Sequence, residues 1–167
     1  LVSFAVASGR TGDLISPEFK GAGHRVVLLA PQYDGSLPVA ESFNAISTRV
    51  EELIAGKQVL SAWAVVHGGV AEGLFKMCLG NRVGFAAEAG ETADDLFAVR
   101  RGAFLLELRE DAPEIGTLLG RTVADYTFTA CGETAGLAEL EHAYEGRLAP
   151  VFPIAAAGEG EAPTLSG

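Results

Sequence analysis

Buried strands that alternate with amphipathic helices are the feature that most constrains what this chain can fold into. The run HRVVLLA at 24–30 is almost wholly apolar, as is typical of a strand covered on both faces of a sheet. A second run of this kind, VLSAWAVV, occupies 59–66. Between them, apolar residues recur at spacings of four, three, four and three, which predicts one buried helical stripe: Val39, Phe43, Ile46, Val50 and Leu53. The pattern predicts a domain in which helices cover a sheet.

Weaker signals complete the layout of the chain. A second helical stripe follows the 59–66 strand and is formed by Val70, Leu74, Met77 and Cys78. Further strands are predicted at 1–8, 82–88, 103–108 and 122–130. Short helices are predicted at 92–100 with Thr92 as the N-cap, at 111–120 as a helix or turn, and around Leu137, Leu140 and Tyr144. This order of elements indicates an α+β or α/β layer arrangement.

Composition argues against several classes of function. The 167 residues carry a net charge of −10, so nonspecific affinity for nucleic acid or for an anionic membrane is not expected. No apolar run reaches the roughly 18 residues that span a bilayer. The two cysteines, Cys78 and Cys131, have no metal-ligand spacing. We expect a reducing, cytoplasmic setting, with Cys78 in the core rather than acting as a nucleophile.

The clearest candidate site is the stretch AVVHGGV, where a buried strand meets a helix at His67, Gly68 and Gly69. One interpretation is that free N–H groups at the start of the helix face an anion, with His67 as a partial basic partner. The other is that the two glycines only permit a tight turn between closely passing backbones. The sequence alone leaves both open and favours the second.

Other polar residues give weaker indications. Asp34 lies in the turn before the long helix, where it could belong to a site or serve turn chemistry alone. Glu72 is expected to face solvent, and the same is expected of His24 and His142. No cluster of His, Cys and carboxylate residues shares a segment, so neither a metal site nor a catalytic residue is predicted.

Three stretches of the chain resemble, in order, a known family of enzymes: LVSFAVASGRTGDLISPEFKGAGHRVVLL, SAWAVVHGGVAEGLFKMCLGNRVGF and LAELEHAYEGRLAPVFP. Together they are similar to the second carboxy-terminal-type domain of large phosphoribosylformylglycinamidine synthases, over residues 1–153. The middle stretch also resembles a wider superfamily that includes aminoimidazole ribonucleotide synthase, selenophosphate synthetase and thiamine-monophosphate kinase.

The resemblance implies an α+β fold with a four-stranded mixed sheet, helices on one face and an extra N-terminal strand. It also implies three parts of the chain. Residues 1–23 would be a strand and connector from an upstream ATP-binding domain, and 24–153 the synthase domain itself. Residues 154–167, which are small and acidic, would be a flexible linker towards a glutamine amidotransferase domain.

Enzymes of this family convert formylglycinamide ribonucleotide, ATP and glutamine-derived ammonia to the amidine in purine biosynthesis. The resemblance implies that the chain is one domain of such a cytoplasmic ligase and has no activity alone. ATP and magnesium would be used by the full enzyme and not bound by this domain by itself. Its partners would be the ATP-binding and glutaminase domains of the same polypeptide. The alternatives are a purely structural interaction domain of that enzyme, or a domain of another ATP-dependent superfamily member.

Two departures from the family pattern bear on the site. Relatives often carry an acidic sequence before the glycine pair, whose aspartates help hold magnesium and phosphate, whereas His67 stands at that place here. Without carboxylates a hard cation has no oxygen ligands. The turn at 31–36 also lacks the glycine-rich loop of many relatives. The substrate- or phosphate-binding candidates are therefore His67, Gly68, Gly69 and Asp34, in a domain that acts mainly as scaffold.

Overall fold

A seven-stranded mixed sheet forms the centre of the computed structural model, which describes residues 2–90, 92–148 and 150–151. The strands of the protein are β1 (Arg25–Leu29), β2 (Tyr33–Asp34), β3 (Leu37–Pro38), β4 (Val59–Ala64), β5 (Gly84–Ala87), β6 (Phe104–Leu108), β7 (Thr117–Val123), β8 (Thr127–Ala130) and β9 (Glu133–Gly136). The sheet order is β4-β6-β1-β7-β5-β8-β9, while β2 and β3 form a separate hairpin. β5 and β8 are parallel, and the other neighbours are antiparallel.

Helices cover both faces of this sheet. They are α1 (Ala40–Ala55), α2 (Gly69–Leu79), α3 (Ala93–Phe97) and α4 (Leu137–Gly146), and a 3-10 turn precedes them at Thr11–Asp13. On one face α1 packs against Val27, Leu29, Leu106 and Leu108. On the other face α2, α3 and α4 pack against Val26, Leu28, Phe85, Leu105 and Leu119. Consecutive residues of β1 thus enter different clusters, because side chains alternate between the two faces of a strand.

The α+β class and the mixed sheet are confirmed, but two details of the expected fold are wrong. The sheet has seven strands instead of four, and helices lie on both faces instead of one. The physical reason for the second difference is visible in β1 and β6, which are buried on both sides. Such strands need a covering layer above and below.

Most of the individual elements are confirmed as well. The strands predicted at 24–30, 59–66, 82–88 and 103–108 and the helical stripes of α1 and α2 are all present. Thr92 caps α3, since its Oγ1 accepts a hydrogen bond from the backbone N–H of Asp95 at 3.2 Å. Cys78 is fully buried among apolar side chains, as expected of a core cysteine.

The strand predicted at 1–8 is absent from the described residues 2–8, which have no regular secondary structure. Its apolar side chains stand in solvent, and Val2 and Phe4 are 95% and 89% exposed. Apolar alternation favours a strand only where another strand can pair with it, and none does here. The predicted linker at 154–167 lies outside the described residues.

The region from 111 to 136 also differs from expectation. In place of a helix or turn at 111–120 and one strand at 122–130, three antiparallel or parallel strands follow one another as β7, β8 and β9. β7 lies between β1 and β5, so long-range pairing overrides the weak helical signal of TLLG.

Within the described ranges, no helix is long and apolar enough to cross a membrane.

Candidate functional site

The four predicted site residues lie at one end of the sheet, which we call the glycine-turn end. β1 and β4 both run antiparallel to β6, and their last residues, Leu29 and Ala64, both pair with Phe104. Their carboxyl ends therefore face the same way. Asp34 follows β1, and the turn at 67–69 follows β4. The fold thus brings the predicted residues to a common end of the sheet, although they come from different segments.

Gly69 is required by a close approach between two backbones. Its φ angle is +71°, in the left-handed region that side chains disfavour. A Cβ atom there would lie 2.7 Å from the carbonyl oxygen of Leu96 and 2.8 Å from the carbonyl carbon of Phe97. Both contacts are with backbone that closes α3 onto the start of α2. The second glycine of the pair therefore has a geometric function.

Gly68 makes room for a carboxylate from its own helix. The Glu72 Oε2 atom accepts a hydrogen bond from the Gly68 backbone N–H at 2.8 Å, and Oε1 accepts one from Lys76 Nζ at 2.7 Å. These two bonds hold the pKa of Glu72 below its ordinary value, the lysine having the larger effect. Glu72 was expected to face solvent, but its side chain is only 26% exposed. The negative charge of Glu72 therefore lies at the N-terminus of α2.

His67 and Asp34 are both exposed. His67 is near enough to Glu72 for its positive form to help lower that residue's pKa, as the smallest of the contributions. Asp34 lies on the β2–β3 hairpin opposite Leu37. Neither side chain makes a hydrogen bond or ion pair within the described part of the chain. Whether they contact a ligand stays a prediction.

The donor set of the turn does not fit magnesium or a nucleotide phosphate. The nearby carboxylate, Glu72, is committed to Lys76 and to a backbone N–H. That same carboxylate would repel an anion at the helix start. Among the residues the structure describes, no group of three or more His, Cys, Asp or Glu side chains could hold a metal ion.

A second polar centre, which none of the sequence predictions names, lies at the opposite end of the sheet. Glu107 on β6 is fully buried. Its Oε1 lies 2.6 Å from His24 Nδ1, and its Oε2 accepts a hydrogen bond from Ser61 Oγ at 2.8 Å. The Lys20 backbone N–H donates to both oxygens, at 3.1 and 2.9 Å. The carboxyl group is therefore satisfied by three residues from two segments, the stretch 20–24 and β4.

We call this second region the connector end, because residues 15–23 pass over it before β1 begins. Phe19 of this connector is fully buried and stacks on Phe85 with ring centroids 6.3 Å apart. Its backbone N–H donates to the Met77 carbonyl at 2.8 Å. The predicted domain boundary at residue 23 stays a prediction, but the connector packs into the core of this domain.

His24 was expected to be solvated, and this expectation is wrong. Its side chain is 31% exposed and contacts the buried Glu107. One local signal could have pointed to the centre. A glutamate inside the run AFLLEL, in a strand buried on both faces, must find polar partners or remain outside the core.

The comparisons with known proteins bear on the fold. No protein-family model and no curated protein matches the sequence. Among solved structures, PurL of Thermotoga maritima in complex with AMPPCP is 11% identical, with a TM-score of 0.68 over 79% of this chain and 28% of that chain. The complex of that PurL with FGAR is 11% identical, with a TM-score of 0.66 over 78% of this chain and 30% of that one.

A further structure, phosphoribosylformylglycinamidine synthase II from Thermotoga maritima, is 12% identical, with a TM-score of 0.66 over 93% of this chain and 31% of that chain. The chain thus spans less than a third of the length of these solved structures. It has the fold of a PurL-type, aminoimidazole ribonucleotide synthase-like domain. The likeness of fold expected from the sequence resemblance is therefore confirmed, apart from the number of strands and the placement of the helices.

Proposed function

We propose that this chain is a domain of a phosphoribosylformylglycinamidine synthase and contributes scaffold rather than catalytic groups. The observation that carries the proposal is the likeness of fold to PurL, which extends over 78–93% of the chain. Complexes of that PurL with AMPPCP and with FGAR are in keeping with an ATP-dependent reaction on a ribonucleotide.

The proposed reaction is the ATP-dependent amidation of formylglycinamide ribonucleotide in purine biosynthesis. Transfer of a phosphoryl group from ATP to the amide oxygen makes that oxygen a leaving group, and ammonia from glutamine then displaces it as phosphate. The glycine turn of this chain lacks the free carboxylates and open helix start that such chemistry needs. We therefore assign the reacting groups to other parts of the polypeptide.

An interaction role within the same enzyme is the second candidate, and a specific surface favours it. An apolar cleft of about 420 Å³ lies beside the glycine turn, lined by Gly68, Ala71, Glu72, Phe75, Phe97, Phe128 and Leu140. Phe97 is 65% exposed on its rim. Large exposed apolar side chains next to a cleft are typical of surfaces that pack against another domain. The ATP-binding domain of the same polypeptide is the partner we propose.

Activity of the full-length protein tests the proposed function. It should release phosphate from ATP only when formylglycinamide ribonucleotide is present together with glutamine or ammonia. Absence of that dependence in an active, folded preparation would contradict a synthase. Complementation of a purine-requiring strain that lacks the synthase gives an independent readout.

Two variants of the full-length protein separate a binding role from an interaction role. His67→Ala should lower turnover without changing the melting temperature if the turn contacts substrate. If the variant turns over as fast as wild type, His67 has no binding role.

Phe97→Asp should lower the melting temperature or separate one unfolding transition into two if the cleft packs against another domain. An unchanged transition in Phe97→Asp contradicts the interaction role.

A further inference from the structure

The connector end carries a second cleft, far from the glycine turn. It has a volume of about 840 Å³ and is lined by Lys20, Ala22, Gly23, His24, Arg25, Leu60, Arg109, Glu110, Asp111 and Arg121. β4 begins beside this cleft and ends at the glycine turn, so the two regions are separated by about 20 Å of strand. The cleft is therefore distinct from the predicted site.

Two arginines face each other across neighbouring strands in this cleft. Arg25 of β1 and Arg121 of β7 are directly paired in the register of the sheet. Like charges at directly opposed positions of an antiparallel pair destabilise the sheet. In a chain of net charge −10, this placement concentrates positive charge at one end of the sheet.

Both guanidinium groups are oriented without being neutralised. Arg25 Nη2 donates to the Ala112 carbonyl oxygen at 2.5 Å, and Arg121 Nη1 donates to the Gly23 carbonyl oxygen at 3.1 Å. Within the described ranges, neither group forms an ion pair with a carboxylate. A carbonyl oxygen fixes one edge of a guanidinium and leaves its other N–H donors and its full charge available.

The backbone that holds Arg121 is itself fixed by hydrogen bonds. The Gly23 backbone N–H donates to the Thr122 carbonyl at 2.8 Å, and the His24 backbone N–H donates to Thr122 Oγ1 at 2.9 Å. His24 is anchored in turn by the buried Glu107. The donors are thus positioned before any ligand arrives, which lowers the entropy lost on binding.

The remaining charges around the cleft narrow the class of ligand. Lys20 Nζ is already paired with Glu18 at 2.6 Å, and Arg109 lies 3.4 Å from Asp111 in an exposed pair that contributes little. Glu110 and Asp111 on the lining would repel an extended polyanion such as nucleic acid. A small dianion needs contact only with Arg25 and Arg121, whose guanidinium groups form no ion pair among the described residues.

We infer that this cleft binds a phosphate group between Arg25 and Arg121. Planar guanidinium groups bind phosphate oxygens with paired N–H donors, which an isolated surface lysine cannot do. The ligand is either free inorganic phosphate or the phosphate of a small monoester. Binding here goes beyond the proposed synthase activity and does not depend on it.

Calorimetry of the full-length protein tests this inference with two probes, inorganic phosphate and glycerol 3-phosphate. We expect saturable binding, and Arg25→Gln or Arg121→Gln should weaken it at least about tenfold, since each removes a charged donor pair. Tighter binding of glycerol 3-phosphate identifies a monoester site, and tighter binding of phosphate identifies a site for the free ion. Arg49→Gln, which alters an exposed arginine on α1, is the matched control.

Thermal unfolding adds a readout that does not rely on affinity. Without phosphate, Arg121→Gln should melt close to wild type, because relief of the repulsion from Arg25 offsets the lost hydrogen bond to the Gly23 carbonyl. Phosphate should raise the melting temperature of wild type and leave that of the variant almost unchanged. Arg121→Lys, which keeps the charge but not the paired donors, should bind with intermediate affinity and guards against a folding defect in the glutamine variant.

Three results would overturn the inference. They are absence of binding of both probes at millimolar concentration, binding that neither Arg25→Gln nor Arg121→Gln weakens, and equal weakening by Arg49→Gln. If an acidic side chain of another domain already fills the cleft, neither probe binds, and the inference is overturned.

Discussion

The two ends of the sheet are built on different principles. At the glycine-turn end, backbone shape dominates, because Gly69 lets two chain segments meet and Glu72 caps its own helix. At the connector end, the buried carboxyl group of Glu107 binds Lys20, His24 and Ser61, all of which lie far from Glu107 in sequence. The first end is therefore shaped mainly by backbone packing, and the second by hydrogen bonds to a buried side chain.

The two ends should therefore lose different amounts of folding free energy when a key residue is replaced. At the glycine turn, a larger side chain is opposed by the positive φ angle of Gly69 and by the nearby backbone of Leu96–Ala98. A buried carboxyl group leaves three sets of unsatisfied partners when it is deleted. Variants at the two ends should therefore differ in how much stability they lose.

Deletion of the buried carboxyl group should have the largest effect. We expect Glu107→Ala to lower the free energy of unfolding by about 4 kcal/mol, because it leaves buried donors without an acceptor and creates a cavity. The measurement is the midpoint and slope of urea denaturation. Glu51→Ala, at an exposed position of α1, should change the free energy by less than about 0.5 kcal/mol. Equal effects of the two variants would mean that the network contributes nothing.

A methyl group at the glycine turn should cost somewhat less. We expect Gly69→Ala to lower the free energy of unfolding by about 2 kcal/mol, since the positive φ and the contacts with the Leu96–Ala98 backbone both resist a Cβ atom. Gly146→Ala at the end of α4, where a Cβ atom meets nothing, is the control and should be neutral or slightly stabilising. A Gly69→Ala protein as stable as wild type would show that the backbones can move apart.

Removal of the charge on Glu72 should have a smaller, pH-dependent effect. Because the pKa of Glu72 is lowered in the folded state from 4.5, its stabilisation is present at neutral pH and is lost as pH falls through the lowered pKa. We expect Glu72→Gln to be about 1 kcal/mol less stable at pH 7, with the gap closing in acid. A gap that stays constant with pH would show that the ionised carboxylate has no part in capping.

The reactivity of the two native cysteines measures how accessible each end of the sheet is, without any substitution. Cys131 is exposed in the β8–β9 turn at the glycine-turn end, whereas Cys78 near the end of α2 is buried, and burial raises its pKa to about 12. A thiol reagent should therefore label one cysteine rapidly and the second only on unfolding. Rapid labelling of both in the native protein would mean that the connector end opens readily.

The sequence predicts those features that depend on nearby residues. The stripe of α1, the Thr92 cap and the glycine turn arise from spacings of a few residues, and each is confirmed as structure. The Glu107 network, the facing pair Arg25 and Arg121, and the seven-strand count depend on register between distant strands. No local sequence pattern specifies which distant strands pair or in which register. The N-terminal apolar alternation fails for the same reason, since a strand needs a partner that local sequence does not specify.

The central position of β1 has a consequence for how the protein is made. Both of its neighbours, β6 and β7, come from the second half of the chain. A high average separation between paired segments slows folding, because long loops must close before any contact is gained. During synthesis, β1 and β4 leave the ribosome long before their partners exist. The central strands β6, β1 and β7 can pair only after Val123 has been synthesised, and until then the apolar edges of β1 and β4 stay unpaired and prone to aggregation.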